Sequence, residues 1–245
     1  MAASARRMLA TATRCFSSAS SSANGAKKAW YNGTKIVCVA KNYADHVKEM
    51  GGKPKPAAAP PVFFLKPSSS VVHPPGAIVI PAGVKNVHHE VELGVVIGKR
   101  GRRIAAADWR TYVRGYVVAL DMTARDIQAA AKAAGEPWAV AKGYDTFCAM
   151  SEEVPAEHVE DPHDLHLSLT NMNTLVQAGV TGDMIHRIPQ LLAAASAVMT
   201  LEPGDVLLTG TPSGVAAVAP GDILHAAVVG VVSATFPVVA EPPLA

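Results

Sequence analysis

The sequence predicts a β-rich α+β fold in a single domain, and three observations carry that expectation. Short apolar runs recur along the chain, each bounded by Pro, Gly, Asn or Asp, which is strand-and-turn patterning. Only two longer segments carry apolar residues at helical spacing. At 245 residues and 49% hydrophobic, the chain can bury a sizeable core, and no internal linker divides it.

In chain order, the first strand expected is Lys35–Ala40. The breaker Lys53-Pro54-Lys55-Pro56 precedes Val62–Leu65, and Pro74-Pro75-Gly76 precedes Ala77–Ile80. His89–Ile97 and Tyr116–Leu120 follow, then Leu165–Leu169, Val206–Thr209, Ile223–Val229 and Val231–Val238. Pro203-Gly204-Asp205 and Pro220-Gly221-Asp222 each stand directly before a strand, a local echo and not a repeat. One helix is expected over Ile127–Ala134, with capping-box character in Thr123-Ala124-Arg125-Asp126 and a stop at Gly135. A second starts near Pro189 and runs through Leu191, Leu192, Ala195 and Val198. Asp45–Met50 is a short segment ahead of Gly51-Gly52, a candidate mobile element.

The N-terminus reads differently. Residues 1–24 contain Arg6, Arg7 and Arg14, many serines and no acid, the pattern of a mitochondrial transit peptide or of a disordered tail. Residues 30–245 form the expected catalytic domain. Without the three arginines, nineteen basic residues face twenty acidic ones, so charge gives no reason to expect nucleic acid or a membrane surface as partner. No apolar run reaches the ~18 residues of a membrane span. Cys15, Cys38 and Cys148 offer neither a disulfide framework nor zinc spacing.

Chemistry concentrates in a few places. Glu90 and Glu92 alternate on one strand face within apolar sequence, and Asp121 ends another apolar run. Burying carboxylates requires a cation, a proton or hydrogen bonds, which suits a hard divalent ion, Mg²⁺ or Mn²⁺, rather than zinc. A solvated strand face is the other reading. His46 and Glu49, three apart, would be neighbours on a helical turn, as a proton-handling pair on a lid or as an ordinary surface pair. Lys142, after Trp138-Ala139-Val140-Ala141, suits stabilisation of an enolate or a substrate carboxylate, or is a strand-end lysine that snorkels. Lys66 is similar and would offset repulsion among the acids. Arg125 and Gln128 lie three apart on the helix after Asp121 and could bind a substrate carboxylate. Thr211 offers a hydroxyl in Thr209-Gly210-Thr211-Pro212-Ser213-Gly214, which lacks a P-loop's lysine. His88 and His89 adjoin the acids, but ideal strand geometry points them to opposite faces.

Six ordered segments resemble the fumarylacetoacetate hydrolase superfamily, and within it the mitochondrial acylpyruvase/oxaloacetate decarboxylase branch. They are Lys35–Met50 (KIVCVAKNYADHVKEM), Phe64–Ser69 (FLKPSS), His88–Gly98 (HHEVELGVVIG), Leu120–Gln128 (LDMTARDIQ), Pro137–Lys142 (PWAVAK) and Leu201–Val215 (LEPGDVLLTGTPSGV). The resemblance implies a mixed β-sandwich/β-roll, a homodimer in the mitochondrial matrix, and Mg²⁺ or Mn²⁺ on Glu90, Glu92 and Asp121. It implies a His46–Glu49 dyad on a segment that orders with ligand, Lys142 and Thr211 in the catalytic set, and Arg125 and Gln128 as substrate contacts. Lys66 is expected among the substrate-binding residues. The activity implied is hydrolysis of acylpyruvates and decarboxylation of oxaloacetate through a metal-bound pyruvate enolate. Oxaloacetate keto–enol tautomerisation is the alternative main activity, and a non-catalytic metal-dependent binding protein is the alternative of a different class. Two departures stand out. Ala40-Lys41 replaces a common Gly-Arg, and Asn171-Met172-Asn173-Thr174 lacks the usual Asn-Gly, which puts that hairpin's turn type in question.

Overall fold

The computed structural model describes residues 30–243, so the expected targeting segment lies outside the described residues. Strand β1 (Ile36–Ala40) leads into helix α1 (Ala44–Glu49). Then come β2 (Val62–Lys66), β3 (Val71–Val72), β4 (Ile78–Ile80), β5 (Val87–His88), β6 (Val91–Ile97), β7 (Val113–Asp121) and β8 (Thr123–Ala124). Helices α2 (Arg125–Ala134) and α3 (Ala139–Lys142) precede β9 (Cys148–Met150), β10 (Val154–Pro155), β11 (His166–Asn171) and β12 (Thr174–Val180). Helix α4 (Ile188–Val198) is followed by β13 (Val206–Leu208), β14 (Ala217–Val218), β15 (Ile223–Val228) and β16 (Val232–Ala240).

Two mixed sheets face each other. The larger runs β2-β1-β13-β6-β7-β9-β3, with β10 added along β7; β1/β13 and β3/β9 are parallel and the remaining pairs antiparallel. The smaller runs β12-β11-β15-β16-β4, with only β16/β4 parallel. A short β14-β5-β8 sheet closes one end. The β-rich α+β sandwich/roll expected from the sequence is the fold observed.

The central strand β6 shows why the site forms where it does. All seven of its residues are buried. Val91, Leu93, Val95 and Ile97 point into the core between the sheets, with Tyr116, Val118 and Leu120 of β7 and Leu167, Leu169, Leu224 and Phe236 of the second sheet. Val96 points to the opposite face, against Val117, Ala119, Ile36, Cys38, Val206 and Leu208, and Trp30, Tyr31 and Phe64 cover that layer. Glu92 shares this second face by strand alternation. A carboxylate therefore lies in a layer otherwise filled by apolar side chains.

Two local expectations change. Helix α2 starts at Arg125 with Ala124 at the N-cap and no side-chain cap; Thr123 lies in β8, and its hydroxyl donates to the Asp121 carbonyl instead of forming a capping box. The stop at Gly135 is as expected, with φ +71°. Strand β12 is absent from the strands that apolar patterning predicts, although the resemblance implies a hairpin at Asn171–Thr174. It pairs with β11 through a two-residue loop in which Met172 and Asn173 both have positive φ, 47° and 68°. Positive φ at both loop positions is the type I′ pattern, so the hairpin keeps this turn without the Asn-Gly pair.

Candidate active site

Antiparallel pairing of β6 with β7 sets Glu92 opposite Ala119 and Val91 opposite Leu120. One step further, the Asp121 N–H donates to the Glu90 carbonyl at 2.9 Å, so Glu90 and Asp121 are cross-strand partners. All three acids are buried on one face, and one carboxylate oxygen from each lies within 4.8 Å of the other two. The solvated-face reading of Glu90 and Glu92 does not hold.

Two of these acids have cations beside them. Lys142 Nζ, at the end of α3, lies 2.9 Å from Glu90 Oε2 and 2.6 Å from Asp121 Oδ2. Arg125 Nη2, at the start of α2, lies 2.6 Å from Glu90 Oε1, while its Nη1 donates to Gln128 Oε1 at 2.6 Å. Burial opposes ionisation of Glu90, but Lys142 and Arg125 outweigh it and hold its pKa at about 2. Burial likewise opposes a charged Lys142, and Asp121 and Glu90 outweigh it, raising its pKa above the ordinary lysine range.

Glu92 is different. It accepts the Gly210 N–H at 2.6 Å, and no lysine or arginine among the described residues forms an ion pair with it. Burial, then the neighbouring Asp121 and Glu90, push its pKa well above the usual carboxylate range. A buried acid that calls for positive charge, with two more carboxylates within reach, fits an oxygen-ligated divalent cation, and the donor set lacks the nitrogen and sulfur that zinc favours.

The loop after β13 supplies a second wall. Gly210 has φ +94°, and a Cβ there would stand 2.7 Å from Asn42 Cβ, so only glycine presents its N–H to Glu92 at this place. Asn42 is itself buried: its Nδ2 donates to the Thr209 and His186 carbonyls at 2.8 and 2.9 Å, and its Oδ1 accepts the His186 N–H. This anchor holds Lys41, at φ +59°, on the rim of the cleft. Thr211 follows Gly210 and lines the cleft with the three acids.

Helix α1 brings His46 and Glu49 together, with His46 Nδ1 3.3 Å from Glu49 Oε2. Glu49 Oε1 accepts the Gly214 N–H at 2.9 Å, which ties the helix to the Thr211 loop. His46 is buried and faces the cleft that Glu90, Glu92 and Asp121 line. The cleft thus brings together His46, Glu90, Glu92, Asp121, Arg125, Gln128, Lys142 and Thr211, with Glu49 behind His46.

Lys66 stands apart. It is fully buried, and its ammonium lies 2.8 Å from Asp121 Oδ1 while donating to the Met122 and Lys142 carbonyls. Held by this ion pair and by two carbonyls, it braces Asp121 and α3 from behind and is not among the side chains that line the cleft. His89 is fully buried, and its Nδ1 lies 2.8 Å from Gln177 Oε1; burial lowers its pKa. His88, in β5, has its pKa lowered to about 4 by burial and then by Arg125. Sequence reasoning missed Gln177, Asn42 and Lys132. Lys132 carried a usable signal, since positions 125, 128 and 132 follow helical spacing and place it on the cleft face of α2.

The two sheets and this cleft define a β-sandwich/roll protein with a buried carboxylate site suited to a divalent cation. Residues 35–239 match the fumarylacetoacetate (FAA) hydrolase C-terminal family, and the chain belongs to it. The mitochondrial oxaloacetate tautomerase FAHD1 of Arabidopsis thaliana is 48% identical over 207 residues, covering 84% of this chain and 91% of the relative. The mitochondrial oxaloacetate decarboxylase of Dictyostelium discoideum is 46% identical over 204 residues, covering 83% and 92%. The crystal structure of fumarylpyruvate hydrolase from Pseudomonas aeruginosa, in complex with Mn²⁺ and pyruvate, is similar with a TM-score of 0.82 at 33% identity, covering 88% of this chain and 94% of that one.

Proposed function

We propose that this chain is a divalent-cation-dependent enzyme of small 2-oxo acids, acting on oxaloacetate by keto–enol interconversion and decarboxylation. The buried trio Glu90, Glu92 and Asp121, with Glu92 lacking a cation of its own, is the observation that carries the reading. The trio would hold Mg²⁺ or Mn²⁺, which supplies Lewis acidity toward a keto oxygen. Arg125 and Gln128 bind and orient the carboxylate next to that oxygen, and Lys142 offsets negative charge developing on the enolate. His46 has Nδ1 turned to Glu49, so Nε2 is its free nitrogen; there it moves a proton to or from C3. Lys41 and Lys132 stand on the cleft wall without an ion-pair partner among the described residues, suited to the second carboxylate that oxaloacetate carries. Relatives that act on oxaloacetate support this choice.

The His46–Glu49 pair favours a second activity of the same cleft. His46 takes a proton from water, the hydroxide adds to the distal carbonyl of an acylpyruvate, and the C–C bond breaks to release a carboxylic acid; the pyruvate enolate that leaves takes the proton back from His46 at C3 to become pyruvate. The mitochondrial relatives and the arginine-rich, acid-poor residues 1–24 support a matrix location, and the family supports a homodimer.

Decay of enol-oxaloacetate absorbance and release of CO₂ are to be followed with Mg²⁺, with Mn²⁺ and after chelation. Turnover that depends on the added ion and disappears in E92Q is expected. Equal rates before and after chelation would sink the reading.

A further inference from the structure

Gln177, on β12 in the smaller sheet, lies behind the cleft wall and is 1% exposed. Its Oε1 accepts the Val91 backbone N–H at 3.0 Å, and a backbone nitrogen only donates, so that end of the amide is oxygen. The other end is NH₂, and its two protons go to Thr211 Oγ1 at 2.9 Å and the Pro212 carbonyl at 3.0 Å. His89 Nδ1, 2.8 Å from the same Oε1, therefore carries a proton. Two donors on the oxygen and two acceptors on the nitrogen leave the amide no second arrangement.

The contact is built in from both sides. A Cβ at Gly179 would stand 2.5 Å from Pro212 Cβ, and one at Gly214 would stand 2.3 Å from the Val176 carbonyl. The two glycines let β12 and the Thr211 loop approach to hydrogen-bonding distance. Thr211 Oγ1 thus has one lone pair occupied by Gln177, and no acceptor among the described residues takes its proton. With the Gln177 amide donating to Oγ1, the hydroxyl proton is turned away from the amide, and the cleft that Thr211 lines is where it is left to donate.

We infer that Gln177 is a positioning residue that holds the Thr211 hydroxyl as a hydrogen-bond donor aimed into the cleft, toward a negatively charged oxygen of the bound 2-oxo acid. The inference rests on the proposed use of this cleft as the substrate site. It assigns a relay His89 → Gln177 → Thr211 → ligand, in which each group donates to the next.

Two measurements test it. In the wild-type protein, ¹⁵N NMR should show His89 with a protonated Nδ1 and an unprotonated Nε2; the opposite tautomer overturns the relay. The second measurement is calorimetric affinity for oxalate in Mg²⁺, for T211V, T211S, Q177E and T211V/Q177E. The carboxylate that Q177E introduces still accepts from Val91 and His89 but cannot donate, so the Thr211 proton turns onto it. T211V and Q177E should each weaken oxalate binding about ten- to hundred-fold, the loss of one hydrogen bond to a charged group. T211S should restore most of the affinity, and the double variant should be no weaker than T211V alone. Losses that multiply in the double variant overturn the inference. Oxalate binding that follows this pattern without any turnover of oxaloacetate would keep the relay and refute the proposed activity. Turnover with oxalate affinity indifferent to both substitutions would do the reverse. Should Q177E fail to fold, the His89 tautomer still decides.

Discussion

Glu92→Gln separates the two demands placed on the carboxylate trio. The three oxygens lie no more than 4.8 Å apart. At an effective dielectric of ~20, two unit charges at that distance repel by about 3.5 kcal/mol. Lys142 and Lys66 screen part of this, so relief of about 1–3 kcal/mol is expected when Glu92 becomes neutral. Its carboxyl titrates above its unfolded value, so between those two values the folded metal-free chain holds a proton that the unfolded chain has lost. This contribution to stability is present below the unfolded value and declines as pH rises through the folded one. In EDTA, E92Q should therefore melt about 2–10 °C above wild type at pH 8, with the gap closing as pH falls toward 5. In millimolar Mg²⁺ the order should invert, because wild type gains binding energy that E92Q lacks. Calorimetric melting at several pH values with and without Mg²⁺ reads both halves. If E92Q is less stable than wild type in EDTA across the whole range, the electrostatic account of the trio is refuted.

Other perturbations follow from the same geometry. Lys66→Met removes a buried ammonium that no substrate meets and should cost about 3–5 kcal/mol of stability by chemical denaturation, since Asp121 loses a partner; a loss of oxaloacetate affinity with stability intact would place Lys66 in the cleft after all. Lys132→Ala and Lys41→Ala should each raise KM for oxaloacetate about two- to five-fold while leaving acetylpyruvate unchanged, the scale of an exposed ion pair; equal effects on both substrates would remove the second-carboxylate role. Gly210→Ala should destabilise by about 2–4 kcal/mol and weaken Mg²⁺ binding, because its Cβ meets Asn42 and shifts the N–H on Glu92; wild-type melting of that variant would contradict it. His46→Ala should lower acetylpyruvate hydrolysis about 10²- to 10⁴-fold, measured as pyruvate released, and an unchanged rate would assign the proton transfer elsewhere.

The site was legible in the sequence wherever local periodicity carried it. Glu90 and Glu92 share a face by strand alternation, His46 and Glu49 meet on one helical turn, and Arg125 and Gln128 follow helical spacing. Asp121 could be named a third acid, but its pairing with Glu90 is a matter of register between β6 and β7, which no local pattern encodes. Lys66 shows the limit more sharply. A lysine closing an apolar strand reads the same whether its ammonium reaches a ligand or a buried carbonyl, and only the packing of α3 behind it decides. Gln177 was missed because β12 was missed: Leu175-Val176-Gln177-Ala178-Gly179 lacks clean alternation, and its bulged pairing with β11 interrupts the pattern further. The hairpin turn, in doubt on composition, proved to depend on backbone angles that Met172 and Asn173 adopt without a glycine.

The placement of β13 between β1 and β6 has a consequence for how this molecule comes into being. A strand starting at Val206 wedges between partners from the first half of the chain, and Gly210 just beyond it completes the contact to Glu92. During vectorial emergence of the polypeptide, whether from a ribosome or a translocation pore, the early strands can collapse, but their sheet stays split until about the last sixth arrives. Assembly of the three-carboxylate pocket is thereby postponed to the end of folding, and a chain stopped short of Val206 would carry two unsatisfied sheet margins rather than a smaller complete fold.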